Sequence, residues 1–232
     1  MKDLLEGLIQ AFGLIISLDQ ALYEIIWFSL YVSGVALGFS ITVGIPIGSV
    51  LGLKRFWGRR FVMALLYTGM GFPPVVIGLF VYLMFSRSGP IGDLGWLFTP
   101  KAIIVAQTII SFPLVAGFTM AAVMGVDPNL RQQLMSLGAT DWQATLATLA
   151  EARIGVVVAV IAGFGSIISE VGAVMLVGGN IENKTRTLTT AIVLETRKGN
   201  FDLAMALGVI LLLITFLINL AMIRLQGREF GR

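Results

Sequence analysis

IIWFSLYVSGVALGFSITVGIPIGSVLGL, residues 25–53, is a run of 29 residues without a charged side chain. The hydrocarbon core of a bilayer is about 30 Å thick, and about 20 apolar residues cross it as an α-helix. Backbone groups in hydrocarbon must bond to one another, and a helix lets a single segment do this alone. The run therefore predicts a transmembrane helix that is long enough to tilt.

Four further stretches of the chain have the same character, and Glu170 is the only charged residue within them. They are residues 61–86, 102–126, 154–178 and 203–223. We therefore predict an all-α integral membrane protein with five transmembrane helices, which together form a membrane domain over residues 25–225. Such a protein lies in the cell membrane as a multi-pass chain, with the lipid bilayer as its surroundings.

The composition excludes several other classes of protein. Of the 232 residues, 57% are hydrophobic and 12% are charged, and the mean hydropathy is +0.92. About a quarter of the residues of a soluble domain are charged. A soluble enzyme is therefore excluded.

The chain also lacks the residues that many catalytic and cofactor sites require. It contains no His and no Cys, so thiol or imidazole catalysis, disulfides and ordinary zinc sites are excluded. No Lys follows a Gly, so the phosphate-binding loop Gly-x-x-x-x-Gly-Lys-Ser/Thr is absent. We expect no catalytic residue, no metal site and no cofactor in this chain.

The first 24 residues have a different pattern from the predicted spans. Leu5, Leu8 and Phe12 recur three and four positions apart among charged residues such as Asp3 and Glu6. This spacing is typical of an amphipathic helix, so we expect residues 1–24 to lie at the membrane interface. The alternative is a cleaved signal peptide, which the lack of a positively charged start and of a small-x-small cleavage site disfavours.

The basic residues predict the orientation of the chain. Residues 54–60, KRFWGRR, contain four basic residues and no acidic residue, which places this loop in the cytoplasm by the positive-inside rule. With five spans, the N-terminus is then outside, and the tail, residues 226–232, is cytoplasmic. The net charge of +3 reflects this topology, and we expect no nucleic-acid partner.

Small residues and prolines predict how the helices pack and bend. Small residues recur every four positions at Gly34 and Gly38, at Gly44, Gly48 and Gly52, and at Gly165, Ser169 and Ala173, which predicts faces for close helix packing. Prolines predict breaks in the first three spans, and these breaks are either hinges or static kinks. The prolines concerned are Pro46, Pro73, Pro74 and Pro113.

Residues 127–153 contain signals for two short helices. Asp127 followed by Pro128 is typical of a helix start, and Gly138 of a helix end. Thr140 and Gln143 then fit a capping box at the start of a second helix. We predict two short helices joined by a bend at Gly138, and the alternative is an ordinary amphipathic connector.

Part of this segment, LMSLGATDWQATLATLAEAR (residues 134–153), resembles the coupling loop of importer-type ABC permeases. The family pattern is Glu-Ala-Ala, three residues, Gly, and later Ile-x-Leu-Pro. Gly138, Ala139 and Trp142 hold the family spacing, whereas Gln132, Gln133 and Leu134 replace Glu-Ala-Ala and Ala150 replaces Pro.

A second stretch, SEVGAVMLVGGNIENKTRTLTTAIVLET (residues 169–196), resembles the permeases for molybdate, tungstate and sulfate. The string from Glu170 to Ile181 is most similar to the tungstate-type permease. Together the resemblances cover about residues 25–225 and imply the type I ABC importer permease fold.

The resemblance implies a function and a set of partners. The chain would be the membrane subunit of an ABC importer, not itself an enzyme, and would form a homodimer. Two cytoplasmic ATPase subunits would bind ATP and Mg, and an extracytoplasmic protein would bind the oxyanion. The loop over residues 127–153 would dock on the ATPase subunit through Arg131, Gln132, Gln133, Gly138, Ala139, Thr140 and Trp142.

The predicted spans offer only neutral donors to a crossing anion, because they contain no Lys or Arg. Candidates for the path or gate are Ser111, Ser166, Ser169 and Glu170. A carboxylate in a span is costly to bury and is a functional hypothesis by default. Glu170 could bond backbone or hydroxyl donors, latch a gate, or, least favourably because like charges repel, contact the anion.

Two kinds of alternative function stay open at this point. The permease could carry molybdate or sulfate rather than tungstate. A protein of a different class, an anion channel, would have no need for the two-helix inner loop, and a membrane-embedded enzyme would have only one buried acid to work with.

Overall fold

The computed structural model describes Gly13 and residues 20–225. The predicted tail, residues 226–232, and most of the predicted interfacial helix lie outside the described residues. Residues 20–24 belong to the first long helix, which begins ahead of the predicted residue 25. The side-chain amide of Gln20 donates to Glu24 at 2.9 Å, a pairing one turn apart that stabilises this polar first turn.

The described residues form ten α-helices and one short 3₁₀-helix, with no strand among them, and the all-α prediction is confirmed. In chain order they are α1 (Gln20–Leu53), α2 (Arg59–Met70), α3 (Pro74–Phe85), the 3₁₀-helix (Gly92–Leu94), α4 (Pro100–Met124), α5 (Pro128–Ser136), α6 (Asp141–Glu151), α7 (Arg153–Ile168), α8 (Gly172–Gly178), α9 (Leu188–Lys198) and α10 (Phe201–Leu225).

Three of these helices, α1, α4 and α10, are long and apolar enough to cross a bilayer without a break. Two bent pairs, α2 with α3 and α6 with α7, pass the same test of length and composition when each pair is taken together. By length and composition, the described residues therefore allow up to five crossings.

The expected break at Pro73 and Pro74 is confirmed, because α2 ends at Met70 and α3 begins at Pro74. Proline lacks a backbone donor and disfavours helical conformation in the residue before it. At Pro46 and Pro113 neither helix is interrupted, because α1 and α4 continue through these residues. A single missing hydrogen bond is tolerated in a membrane helix when its neighbours satisfy the freed group.

Two further differences concern the second half of the chain. The predicted span 154–178 is not one helix, since α7 ends at Ile168 and α8 begins at Gly172. The connection that follows α8 contains the helix α9, which the apolar pattern does not predict. Thr187 caps the N-terminus of α9 with a capping box. No proline lies at the break after Ile168. Hydrogen bonds of Glu170 with Ala173 and Thr189 replace the helical bonds there.

The chain divides into two compact units, each with its own core. The first comprises Met1–Ala36, Pro73–Gln107 and Gly165–Leu220, and the second comprises Leu37–Phe72, Thr108–Phe164 and Ala221–Arg232. A buried apolar cluster of the first unit consists of Leu22, Leu188, Ala191, Ala206, Leu207 and Ile210. One of the second unit consists of Leu51, Leu66, Ala116 and Met120.

Within the second unit, glycines of α1 allow its backbone to touch α4. A Cβ atom at Gly48 would collide with the carbonyl oxygen of Ala116, and one at Gly52 would lie 2.9 Å from a methyl group of Val123. The predicted close packing is therefore confirmed at Gly48 and Gly52, because hydrogen is the only side chain that this contact admits. It is not found at Gly34, Gly38 and Gly165, where a Cβ atom would meet nothing within 4 Å.

We expect the substitution Gly48→Val to lower the free energy of unfolding by about 1–3 kcal/mol, since overpacking forces the two backbones apart. Gly38→Val is the matched control on the same helix, because a Cβ atom at Gly38 would meet no atom within 4 Å. Thermal unfolding of the purified protein in detergent measures both effects. Equal losses in the two variants would assign the effect to helix propensity instead of close packing.

Within the first unit, Glu195 links the end of α9 to the start of α10. Its carboxylate accepts hydrogen bonds from the Lys198 ammonium and the Asn200 side-chain amide, each at 2.8 Å. The Lys198 bond and then the Asn200 bond hold the pKa of this buried carboxyl below its ordinary value, and they outweigh the opposing effect of burial.

This lowered pKa makes the stability of the fold depend on pH. Ionised Glu195 stabilises the fold fully above its unfolded-state pKa of about 4.3, and this contribution disappears as the pH falls through the lower folded-state pKa. We therefore expect Glu195→Gln to reduce the change in Tm between neutral pH and about pH 3. Glu182→Gln, at an exposed carboxylate, is the control. An unchanged pH profile for Glu195→Gln would contradict this account.

Candidate functional site: a two-helix loop and a broken helix

Residues 127–153 contain the two short helices predicted from the sequence. The Asp127 carboxylate accepts a hydrogen bond from the backbone amide of Asn129 at 2.9 Å and caps α5. Thr140 caps α6 in a reciprocal capping box, and Gln143 accepts from the Thr140 backbone amide at 2.8 Å. The predictions of both caps are confirmed. Each cap satisfies amides that a helix start leaves without partners.

Gly138 forms the bend between α5 and α6. Its φ angle is +91°, a value that favours glycine, and a Cβ atom there would meet nothing within 4 Å. The next amide, that of Ala139, donates back to the carbonyl oxygen of Leu134 at 3.0 Å. The restriction at Gly138 therefore comes from backbone conformation alone and not from crowding.

The bend exposes large apolar side chains. Leu137 is 85% exposed and Trp142 is 68% exposed, and Met135 is also exposed. Of the other predicted docking residues, Gln132, Gln133 and Thr140 are exposed, and Arg131 and Ala139 are half-buried. An apolar patch with a polar rim is typical of a protein-binding surface.

A group of three charged residues connects this segment to the end of α1. Asp141, the first residue of α6, forms an ion pair with the Arg131 guanidinium of α5. Its other carboxylate oxygen lies 3.5 Å from the Lys54 ammonium. Exposed ion pairs contribute about 0–1 kcal/mol to stability, so this group orients the two short helices more than it stabilises them. The sequence does not predict the pairing of Lys54 with Asp141, because the two residues are 87 positions apart and no local pattern connects them.

The second part of the site is the break between α7 and α8. Three predicted path residues lie within five positions of one another here: Ser166 is half-buried, Ser169 is exposed and Glu170 is half-buried. The Ser169 hydroxyl donates to the carbonyl oxygen of Gly165 at 2.7 Å, within its own helix. The hydroxyl and carboxylate groups therefore collect where the helix ends.

Both the side chain and the backbone of Glu170 are held in place. Its carboxylate accepts a hydrogen bond at 2.8 Å from the amide of Ala173, in the first turn of α8. Its carbonyl oxygen accepts from the Thr189 hydroxyl at 2.9 Å. Glu170 thus replaces helical hydrogen bonds that the break removes. Of the roles weighed for Glu170, bonding to backbone and hydroxyl donors is the one seen in this conformation.

Thr189 belongs to a group of buried threonines that sequence analysis missed. Thr185 donates to the carbonyl oxygen of Gly178 and accepts from the amide of Ile181 at 2.9 Å. The Thr187 hydroxyl caps α9 and lies 3.1 Å from the Thr189 hydroxyl. The dense run TRTLTT, residues 185–190, was the available signal, because hydroxyl residues are enriched at helix caps.

The fourth predicted path residue, Ser111, has a different environment. It is fully buried, and its hydroxyl lies 2.6 Å from the Ser40 hydroxyl of α1. Ser111 belongs to the second compact unit, whereas Ser166, Ser169 and Glu170 belong to the first. In this conformation Ser111 joins α4 to α1.

The α8 helix also packs closely on α3 within the first unit. A Cβ atom at Gly78 would lie 2.5 Å from the Cα atom of Ala173, so the two backbones are in contact. Among the described residues, no group of three His, Cys, Asp or Glu residues could hold a metal ion. The candidate residues therefore lie in two separate places, a two-helix loop with an exposed apolar patch in the second unit and a helix break with hydroxyl and carboxylate groups in the first.

Residues 44–228 match the family described as the inner membrane component of binding-protein-dependent transport systems. This match includes both the two-helix loop and the α7–α8 break. The chain belongs to this family of ABC permeases. The predicted resemblance is confirmed, and the chain is a multi-pass membrane protein of the transporter class.

Relatives of known class match over nearly the whole permease. A "Probable anion ABC transporter permease protein" of Haloferax volcanii is 44% identical over 209 residues, which cover 88% of this chain and 90% of that protein. The "Tungstate uptake system permease protein TupB" of Peptoclostridium acidaminophilum is 37% identical over 226 residues, with coverage of 97% and 99%.

Solved structures share the fold of this permease. A chain of the MetNI methionine ABC transporter, in an inward-facing conformation, superimposes with a TM-score of 0.75 at 21% identity, covering 90% of this chain and 96% of that one. A chain of a bacterial ABC transporter that imports alginate gives 0.74 at 22% identity, with coverage of 93% and 82%. The predicted type I importer fold is confirmed.

We expect Glu170→Ala to lower the free energy of unfolding by about 0.5–2 kcal/mol, because the first turn of α8 loses its acceptor. Glu170→Gln retains an oxygen at the same position and should lose less. Glu182→Ala is the control, since this carboxylate lies exposed on the surface. Thermal unfolding measures all three. Equal destabilisation by Gln and Ala would show that the charge of Glu170, and not its bond to Ala173, holds the break together.

Proposed function

We propose that this permease translocates tungstate into the cytoplasm by alternating access, within an ATP-driven importer. The observation that carries the proposal is the two-helix loop, whose exposed apolar patch is oriented by Asp141 and bent at Gly138. A channel has no use for such a docking segment, whereas a transporter driven by a separate ATPase needs one.

The relatives support tungstate as the anion. Two tungstate uptake permeases, from Peptoclostridium acidaminophilum and Campylobacter jejuni, are 37% and 34% identical to this chain. The molybdenum permease of Escherichia coli is 28% identical. Molybdate and sulfate are the alternatives, because all three are tetrahedral divalent oxyanions.

The lining of the path supports transient passage in place of tight binding. The long apolar stretches contain no Lys or Arg, so a divalent anion would meet neutral donors. Binding sites along a path must be weak enough to release their ion. We assign the gate to the break between α7 and α8, with Ser166, Ser169 and Glu170. Ser111 would join the path only in a state in which its contact with Ser40 has opened.

The assembly that we propose contains three kinds of protein. Two copies of this permease form a homodimer around one path, and each copy docks one ATPase subunit that binds ATP and Mg. An extracytoplasmic oxyanion-binding protein delivers the substrate. The docking surface on this chain consists of Arg131, Gln132, Gln133, Gly138, Ala139, Thr140 and Trp142.

The orientation proposed for the chain follows from the same surface. The ion pair between Lys54 and Asp141 brings the basic loop, residues 54–60, to the two-helix loop. Both loops then face the cytoplasm, which is the side of the ATPase, and the N-terminus lies outside.

The direct test is uptake into proteoliposomes that contain the permease, its ATPase subunit and the binding protein. We expect ATP-dependent accumulation of tungstate that exceeds accumulation of molybdate and sulfate at equal concentrations. Accumulation is measured as the tungsten and molybdenum contents of the washed vesicles and, for sulfate, as retained radiolabel. Equal accumulation of molybdate would assign a broader specificity, and uptake without ATP would favour a channel.

We expect Gly138→Val to weaken docking without affecting insertion in the membrane. A β-branched residue is strained at the φ angle of Gly138, and the relief of that strain tilts α6 in the docking surface. The expected outcome is normal membrane level, reduced co-purification of the ATPase subunit, and loss of uptake.

Gly199→Val is the matched control for Gly138→Val. Gly199 also has a positive φ angle, +81°, and a Cβ atom there would meet nothing within 4 Å, but it lies outside the two-helix loop. The control should strain the backbone similarly while retaining the ATPase subunit. If Gly138→Val retains full complex formation and uptake, then residues 127–153 are an ordinary connector.

A further inference from the structure

The break between α7 and α8 has a hydrogen-bond partner on α4 that is not one of the proposed gate residues. Gln107 is 2% exposed, and its side-chain amide donates to the carbonyl oxygen of Ile167 at 3.2 Å. Ile167 lies in the last turn of α7. A polar side chain in a membrane span is costly to bury unless it is bonded, so a glutamine at this position indicates a role that an apolar side chain does not fill.

The Ile167 carbonyl is one of the groups that lose a helical partner at the break. In a continuous helix it would accept from the amide four positions later, that of Val171. In this structure it accepts from the backbone amide of Glu170 at 3.3 Å and from Gln107. Gln107 thus provides from another helix a bond that an unbroken helix would supply itself.

Residues 98–107, which end at this glutamine, also contact the other side of the break. The backbone amide of Phe98, ahead of α4, donates to the carbonyl oxygen of Val177 in α8 at 2.9 Å. A Cβ atom at Gly178, the last residue of α8, would lie 2.8 Å from the Cδ1 atom of Ile103 in α4. This segment therefore touches both sides of the break, and all of these contacts lie within the first compact unit.

The covalent structure does not itself impose the break. Residues 168–173, ISEVGA, contain no proline, so every backbone amide in this stretch could donate within a helix. The broken conformation is held by side-chain partners, which are Glu170 and Thr189 at the break and Gln107 on the side of α4. A break that side chains hold is released when one of these partners moves.

We propose, on the basis of the gate assigned above to this break, that Gln107 is a positioning residue for the gate. Its bond to Ile167 holds the end of α7 against α4 while the gate is closed, and loss of the bond frees the break to open. A displacement of α4 then reaches both helices at once, through Gln107 on α7 and through Ile103 on α8. A glutamine suits this task because rotation about its side-chain bonds makes or breaks the contact without unwinding a helix.

The first test measures how often the closed break opens in the purified full-length chain. The chain contains no Cys, so Val174→Cys places a single thiol in α8. Val174 is 1% exposed, and a thiol there reacts with a maleimide only when α8 leaves its packing. We expect the added substitution Gln107→Met, which keeps an unbranched side chain without a donor, to raise the labelling rate about fivefold, the effect of one lost hydrogen bond.

Thr215→Val is the matched control within the first unit. The Thr215 hydroxyl donates to the carbonyl oxygen of Leu211 in its own helix at 2.8 Å, so this variant also loses one hydrogen bond and keeps its shape. Its labelling rate should stay close to that of the parent. Gln107→Asn is a second test variant, in which the amide is retained but is one methylene too short to reach Ile167, and it should behave like Gln107→Met.

A second measurement separates a role in the gate from a merely structural one. In the reconstituted importer, ATP hydrolysis is measured with the binding protein empty and with it loaded. We expect Gln107→Met to raise the rate with the empty protein relative to the loaded one, because loss of the bond and the loaded protein then favour the same open state. A structural defect would lower both rates together and leave their ratio unchanged.

Three outcomes would overturn the proposal. They are no increase in labelling in either Gln107 variant, equal increases in Gln107→Met and Thr215→Val, and an unchanged ratio of the two ATPase rates. The last outcome would show that the break opens without serving as a gate. The labelling comparison does not depend on the anion, so a parent protein that accumulates no tungstate would refute the proposed substrate while the role of Gln107 is still decided.

Discussion

Hydrocarbon provides no partner for a backbone amide or carbonyl, so each place where a membrane helix breaks must contain its own hydrogen-bond partners. The bend between α2 and α3 solves this with Pro73 and Pro74, which bring no amide hydrogen. The break between α7 and α8 solves it with Glu170 and Thr189 instead. Only the second solution adds a carboxyl group, and it places that group where the helix is interrupted.

This difference explains why the break between α7 and α8 is the better candidate for a gate. At Pro73 and Pro74 the missing donors belong to the covalent structure and do not depend on any side-chain partner. The bonds of Glu170 to Ala173 and Thr189 are side-chain bonds, which exchange when a neighbouring element moves. A carboxylate in this position would also repel an anion unless a cationic or hydrogen-bonding partner offsets the repulsion. Such repulsion suits a residue that closes a path.

The sequence predicted those features that depend on local signals. Charge-free runs located α1, α4 and α10, and capping residues located α5 and α6, because a cap and its amides lie within three positions. The break after Ile168 was missed because its cause, Thr189, lies 19 positions from Glu170 along the chain. The ion pair of Lys54 with Asp141 was missed for the same reason. A single sequence contains no record of which distant side chains meet.

Packing partners that are distant in the sequence also decide what happens at two of the prolines. Pro46 and Pro113 carry strong local signals, yet α1 and α4 continue through them. For Pro113 the surroundings are visible: a Cβ atom at Gly69 would lie 3.0 Å from the proline ring, so glycine leaves the ring the space it needs. A proline favours a break locally, but the residues that pack around it determine whether the helix is interrupted.

The contact between Gly48 of α1 and Ala116 of α4 has a mechanical consequence. Two backbones that touch without intervening side chains have no rotamers to rearrange, so these segments cannot slide by small repacking steps. They move as one rigid body or separate entirely. As long as the contact holds, the alternating access that we propose has to place its displacement in elements that are joined by side chains, and the two segments at the glycine contact are carried along together.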